Sequence, residues 1–133
     1  MADVPAIVAG IQTRLATITD LRASDTWPEK VNPPQAWLRP DGSRPLSMNR
    51  SLMAYRFELW LAVNPASFRT AQDSINEYIS SEGARSVEAA LFADDTLDGS
   101  ASGILQFDLD RYQLVEIDAV KLMVAVWNLE VMA

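Results

Sequence analysis

Residues 51–63 read Ser51-Leu52-Met53-Ala54-Tyr55-Arg56-Phe57-Glu58-Leu59-Trp60-Leu61-Ala62-Val63, and this stretch decides the fold class. Met53, Tyr55, Phe57, Leu59, Leu61 and Val63 alternate with Ala54, Arg56, Glu58, Trp60 and Ala62. A period of two marks a β-strand with one face turned to a core. The second set mixes charge with a tryptophan, so that face is expected to be partly solvated or covered by a neighbour. Two further strands are expected towards the C-terminus. Residues 103–116 alternate through Ile104, Leu105, Phe107, Leu109, Tyr112, Leu114 and Val115, and a break in phase at Asp110-Arg111 predicts a bulge. After a tight connection at Ile117-Asp118-Ala119, Val120, Leu122, Val124 and Val126 oppose Met123, Ala125, Trp127 and Leu129. Apolar residues on both faces predict a strand held between layers or covered by another subunit.

Upstream, Val4, Ile7, Val8, Ile11, Leu15 and Ile18 recur at spacings of three and four, which predicts a helix over 4–18 with Asp3 as its cap. Residues 19–34 are rich in turn-formers and read as an irregular connection that Trp27 and Val31 pin to the body. Pro33-Pro34 leads into a short strand at 35–39, and Pro40-Asp41-Gly42-Ser43-Arg44-Pro45 reads as a loop. Asn64-Pro65 opens a second helix with a stripe of Phe68, Ala71, Gln72, Ile75, Tyr78 and Ile79, ending near Gly83. Ser86 caps a short third helix with Val87, Ala90 and Leu91. The expected fold is α+β: a single domain over residues 1–133, in the order α-β-β-α-α-β-β. A mixed or antiparallel sheet of about four strands packs against two to three helices.

Composition narrows the function. Hydrophobic residues make up 49% of the 133 positions and charged residues 22%, so the chain is expected to fold as an ordinary domain. It holds no cysteine and no histidine, which excludes a Cys nucleophile, His-based triads and Cys- or His-ligated zinc. The net charge is −7, unsuited to a free nucleic-acid binder or an anionic membrane surface. The distribution is uneven: residues 1–66 carry net +1 and residues 67–133 net −8. No targeting or membrane-spanning segment is expected.

Chemical motifs are few. Asp94-Asp95-Thr96-Leu97-Asp98-Gly99 resembles the opening of a calcium loop, but the twelfth position, where a bidentate Glu is required, is Leu105. An acidic turn is the plainer reading, and neither metal nor cofactor is expected. Asp108 and Asp110 could be paired carboxylates, yet no nucleophile or phosphate loop accompanies them, so no enzyme activity is expected. Four tryptophans stand at 27, 37, 60 and 127. Core packing is the plain use of a tryptophan. Trp60 and Trp127 sit on or near mixed strand faces, where large aromatics anchor protein interfaces.

The stretch Asp25-Thr26-Trp27-Pro28-Glu29-Lys30-Val31-Asn32-Pro33-Pro34-Gln35-Ala36 resembles the lead-in strand of small tail-completion proteins of long-tailed bacteriophages. Ala71-Gln72 through Tyr78-Ile79, Gly83-Ala84-Arg85-Ser86-Val87, Ala89-Ala90-Leu91 and Asp95-Thr96-Leu97-Asp98-Gly99 are similar in the same way. The family is the tail terminators, also called minor tail or neck proteins, and the resemblance spans roughly residues 5–131. Asp98 departs from the small residue expected before Gly99. The resemblance implies a mostly antiparallel sheet packed on helices, and a virion protein assembled in the host cytoplasm. It implies a homohexameric ring that caps the head-proximal end of the tail tube and stops its polymerisation. The implied partners are the major tail tube protein and the head-completion or stopper protein. Genomic DNA would pass through the lumen without sequence-specific binding. No catalytic residues are implied.

A ring of this kind needs two different patches that meet around a closed rotation. The segment from Arg39 to Arg56 holds Arg39, Arg44, Arg50 and Arg56 against Asp41 alone, net +3. Asp94, Asp95 and Asp98 form an acidic counterpart. These residues, with Trp60 and Trp127, are the expected interface. The rival expectations are a stand-alone adaptor or regulatory module of monomeric or dimeric state, and a small hydrolase using carboxylates.

Overall fold

The structure is a computed structural model that describes residues 4–18, 21–24, 34–46, 52–63, 68–80, 83, 86–94, 96–97, 99, 101–117 and 120–133. Its elements run α1 (Val4–Leu15), β1 (Arg22–Ser24), β2 (Gln35–Pro45), β3 (Met53–Val63), α2 (Phe68–Ile79), α3 (Val87–Phe92), β4 (Gly103–Ile117) and β5 (Val120–Met132). The strands form one five-stranded sheet in the order β1-β2-β3-β5-β4, mixed because β1 runs parallel to β2. The α+β class and the single mixed sheet agree with the sequence reading. The strand count is five rather than four, and the order is α-β-β-β-α-α-β-β. Asp3, Trp27, Val31, Asn64-Pro65 and Asp118-Ala119 lie outside the described residues.

Two differences have local causes. β1 is three residues long, too short to show a period, and exists through its register with β2: Arg22 opposite Gln35, Ala23 opposite Ala36, Ser24 opposite Trp37. Gln12 on α1 also donates through Nε2 to the Ala23 carbonyl at 2.9 Å. The segment expected to be a loop at 40–45 is the outer half of β2. Its register on β3 slips between Pro40 and Gly42, so the turn-forming residues build a bulge on an exposed strand instead. Gly42 takes φ +116, a backbone conformation that favours glycine, while the nearest atom to a Cβ there, Arg56 Nη2 at 3.2 Å, is the end of a side chain free to shift. Among the described residues β1 pairs only with residues 35–37, so no described strand lies beside Pro40 and Pro45 on that side, where a missing N–H breaks no ladder bond.

β3 is the strand the alternation predicts. Phe57, Leu59, Leu61 and Val63 are buried with Met123, Ala125, Trp127, Leu129 and Val131 of β5, beneath Ile7, Ile11 and Leu15 of α1, Ile75 and Tyr78 of α2, and Val87 and Leu91 of α3. The opposite face of the sheet holds a smaller buried cluster of Trp37, Ala62, Leu122, Val124 and Val126. β5 is thus buried on both faces, as its two apolar rows predict. β4 pairs with β5 through two register shifts, one at Ile104/Gln106 and one at Leu109/Arg111. The second lies at the expected break in phase.

Helix α3 is short and needs its cap. Ser86 Oγ accepts from the Ala89 amide at 3.0 Å and donates to the Ser80 carbonyl at 2.5 Å, so one hydroxyl starts α3 and ties it to the end of α2. Arg14 Nε reaches the Ala90 carbonyl at 3.1 Å and fixes α3 to α1. Ser86→Ala removes both hydroxyl bonds from a buried site and should lower the unfolding free energy by about 1–2 kcal/mol. Urea denaturation measures it; a change below about 0.3 kcal/mol would show that the cap contributes nothing.

Candidate association surface

β4 is an edge strand, and its side chains show what that edge offers. Residues directly opposed across a ladder share a face, so β5 assigns the faces of β4. Phe107, Leu109, Tyr112 and Leu114 oppose Leu129, Trp127, Ala125 and Met123, and therefore lie on the helix-bearing face. Gln106, Asp108, Arg111, Gln113 and Val115 oppose Glu130, Asn128, Val126, Val124 and Leu122 on the other face. The bulge at Asp110 switches the helix-face positions from odd to even numbers.

The helices cover β3 and β5 but leave the β4 end of that face open. Leu109 is 39% exposed, while Tyr112, Leu114 and Leu105 are each 45% exposed, and Phe92 at the end of α3 is 48% exposed. Phe92 meets Phe107 edge to face at 6.3 Å, and Phe107 stacks on Trp127 at 6.0 Å. The exposed row is therefore anchored in the core through Phe107. Acids punctuate it: Asp108, Asp110 and Glu116 are exposed, and Arg111 ion-pairs with Asp110.

The residues expected at an interface divide differently. Trp127 is 3% exposed and belongs to the core, because Phe107 and the helices cover the face it sits on; this corrects its assignment as an interface anchor. Trp60 lies on the opposite face, stacked with Trp37 at 6.1 Å, and the Arg111 guanidinium sits 5.6 Å from its ring centre. It is a half-buried packing residue that fixes Arg111 by a cation–π contact. Arg39 pairs with Glu58 at 3.2 Å, and Arg44 with Glu130 at 2.6 Å, so much of their charge is already answered within the chain. Arg56 is exposed beside a cavity of about 260 Å³ that Asp41, Gln106, Asn128 and Glu130 also line. Asp94 holds an Asx turn, its Oδ1 accepting the Thr96 hydroxyl at 2.6 Å and the Thr96 amide at 3.2 Å. Arg50, Asp95 and Asp98 lie outside the described residues. Leu105, at the position where a calcium loop needs its glutamate, is an exposed strand residue. Among the described residues no three acidic side chains gather as a metal site would need.

Periodicity alone does not distinguish the exposed row from a buried one, since Leu109, Tyr112 and Leu114 alternate as core-facing residues do. The available signal is a polar or charged residue at each intervening position, Gln106, Asp108, Asp110, Arg111 and Gln113, together with the phase break. No protein-family model and no curated protein matches the chain. Among the described residues no helix is long and apolar enough to cross a membrane.

The two ion pairs differ in setting. Glu130 keeps 10% of its side-chain exposure and Glu58 14%, while Arg44 and Arg39 stay 53% and 62% exposed. A double-mutant cycle on Arg44 and Glu130 should give a coupling of about 1–2 kcal/mol, against under about 1 kcal/mol for Arg39 and Glu58. Equal couplings would mean that the shorter contact to the more buried acid adds nothing.

Proposed function

We propose that the protein is a structural virion component, a tail terminator whose copies close into a ring, taken as hexameric, on the head-proximal end of a phage tail tube. On this reading the ring ends tube polymerisation and offers a surface to the head-completion or stopper protein. Its lumen lets genomic DNA pass without sequence-specific contact. The role is assembly, with no catalytic step and no cofactor.

The observation that carries an assembly role is the exposed row of Leu109, Tyr112 and Leu114, extended by Phe92, along a sheet edge. Contiguous apolar surface of this kind marks protein association. The resemblance to tail terminators supplies the particular assembly. A ring with two unlike faces uses a head-to-tail contact, so the apolar row must meet a different patch of the next copy. The end of the sheet with Arg39, Arg44 and Arg56 is the basic candidate, and Asp108, Asp110 and Glu116 give the row its acidic complement. The alternative, a stand-alone adaptor of monomeric or dimeric state, would use the same row for another protein and leave tails unaffected.

Tail length separates the two. Tyr112→Asp combined with Leu114→Asp places charge on exposed positions and should leave the circular-dichroism spectrum unchanged. Particles carrying it should have tails of uncontrolled length by electron microscopy. Normal tail lengths from the folded double variant would overturn the ring reading.

A further inference from the structure

We infer that, away from the tube, two copies of this chain pair through their β4 edges, antiparallel, about a two-fold axis between Asp110 and Arg111. The pairing does not rest on the ring reading; only its description as the off-tube form does.

The argument begins with the two ends of the sheet. On the β2 side, β1 covers residues 35–37, Pro40 and Pro45 lack donors, and Gly42 breaks the register. That edge cannot extend a ladder. β4 has 15 residues and no proline, and no described strand lies beyond it. An open edge of this length is a template for another strand, and the capped β2 edge of a second copy does not qualify. A second β4 does.

Symmetry then fixes the register. A two-fold axis sets residues opposite when they lie at equal distances from the Asp110–Arg111 junction. In an unbulged strand such an axis opposes residues from different faces, because side chains alternate. Here the bulge sits at the axis and shifts the phase. Leu109 therefore meets the second copy's Tyr112, and Phe107 meets its Leu114, all on the helix-bearing face. Asp108 meets Gln113 and Gln106 meets Val115 on the other. Leu109 with Tyr112, and Leu114 with Phe107, cover one another, while Leu105 lies beyond these pairs, opposite Glu116. At the axis itself, Asp110 faces Arg111 in both directions, so two acids and two bases gather where two net-acidic chains approach. The two apolar pairs, the polar pair of Asp108 and Gln113 and the ion pairs at the axis match in one register, with Gln106 against Val115 left unlike; such a match is what a self-complementary surface requires.

The chain has no native cysteine, so the register can be read by disulfides. Directly opposed Cβ atoms in a ladder lie about 4.5–5.5 Å apart, close to the disulfide range of about 3.5–4.5 Å. Leu109→Cys and Tyr112→Cys, mixed and oxidised, should give a covalent heterodimer, while each alone stays uncrosslinked. Asp108→Cys mixed with Tyr112→Cys, on opposite faces, should not react. The unmodified chain should sediment at twice its monomer mass, and Leu109→Glu should return it to monomer with an unchanged circular-dichroism spectrum. A monomeric unmodified chain, no disulfide in the first mixture, or equal disulfide in the off-face mixture would each overturn the pairing. Tail length bears on the ring alone and the disulfide pattern on the pair alone, so failure of either is distinguishable.

Discussion

The antiparallel pairing of β3 with β5, from Ala54 opposite Met132 to Val63 opposite Met123, is the contact on which the other elements depend. Its two strands are separated in sequence by both later helices and the whole of β4. Closing that loop costs chain entropy before any contact repays it, so the pairing must be strongly specified. The specification lies in apolar residues on both faces of β5. One row meets the three helices, the other meets Trp37 and Ala62, and neither can slip by one residue without exchanging a core face for the other. β2 and β4 join the two edges of this pair, and β1 joins β2.

The consequence is a sheet with two unlike ends. At the β2 end, proline, glycine and ion-paired arginines give an edge that is bulged, polar and poor in donors. At the β4 end the ladder positions remain open and the helix-bearing face is apolar but uncovered. α3 is six residues long and its last residue, Phe92, meets Phe107, while Leu109 and Tyr112 stay exposed.

Much of this architecture is legible in the residues. The period of two in 53–63, the doubled apolar rows of 120–129, the phase break at Asp110-Arg111 and the cap at Ser86 each appear in the structure where the sequence places them. These signals are local, or concern strands buried deeply enough for hydrophobicity to report the face. What was illegible depends on neighbours. β1 exists only through β2, and residues 40–45 look like a loop because proline and glycine serve turns and bulged edges alike. Exposure of Leu109, Tyr112 and Leu114 and burial of Trp127 follow from where the helices end across the sheet, which no single strand encodes. Charge counting finds Arg39 and Arg44 but not Glu58 and Glu130, which come to them only through the β2–β3–β5 register.

The proposed ring and the inferred pair make different demands on the same edge. A pair closes on itself by a two-fold axis, so it cannot also give the unlike faces that a cap between tube and head requires. A subunit entering the ring must then leave its pair and give up the match of Leu109 to Tyr112. In dilute solution the pair is the simpler assembly, since it needs two copies and one contact. On the proposed reading a tube end would change the balance, because bound copies would hold one another at high effective concentration and closure would gain contacts on both sides of each subunit at once. The tube itself would then supply the difference in free energy that opens the pair. Ring closure would be confined to the place where a tail has to stop, and the apolar edge would never be left uncovered before it arrives there.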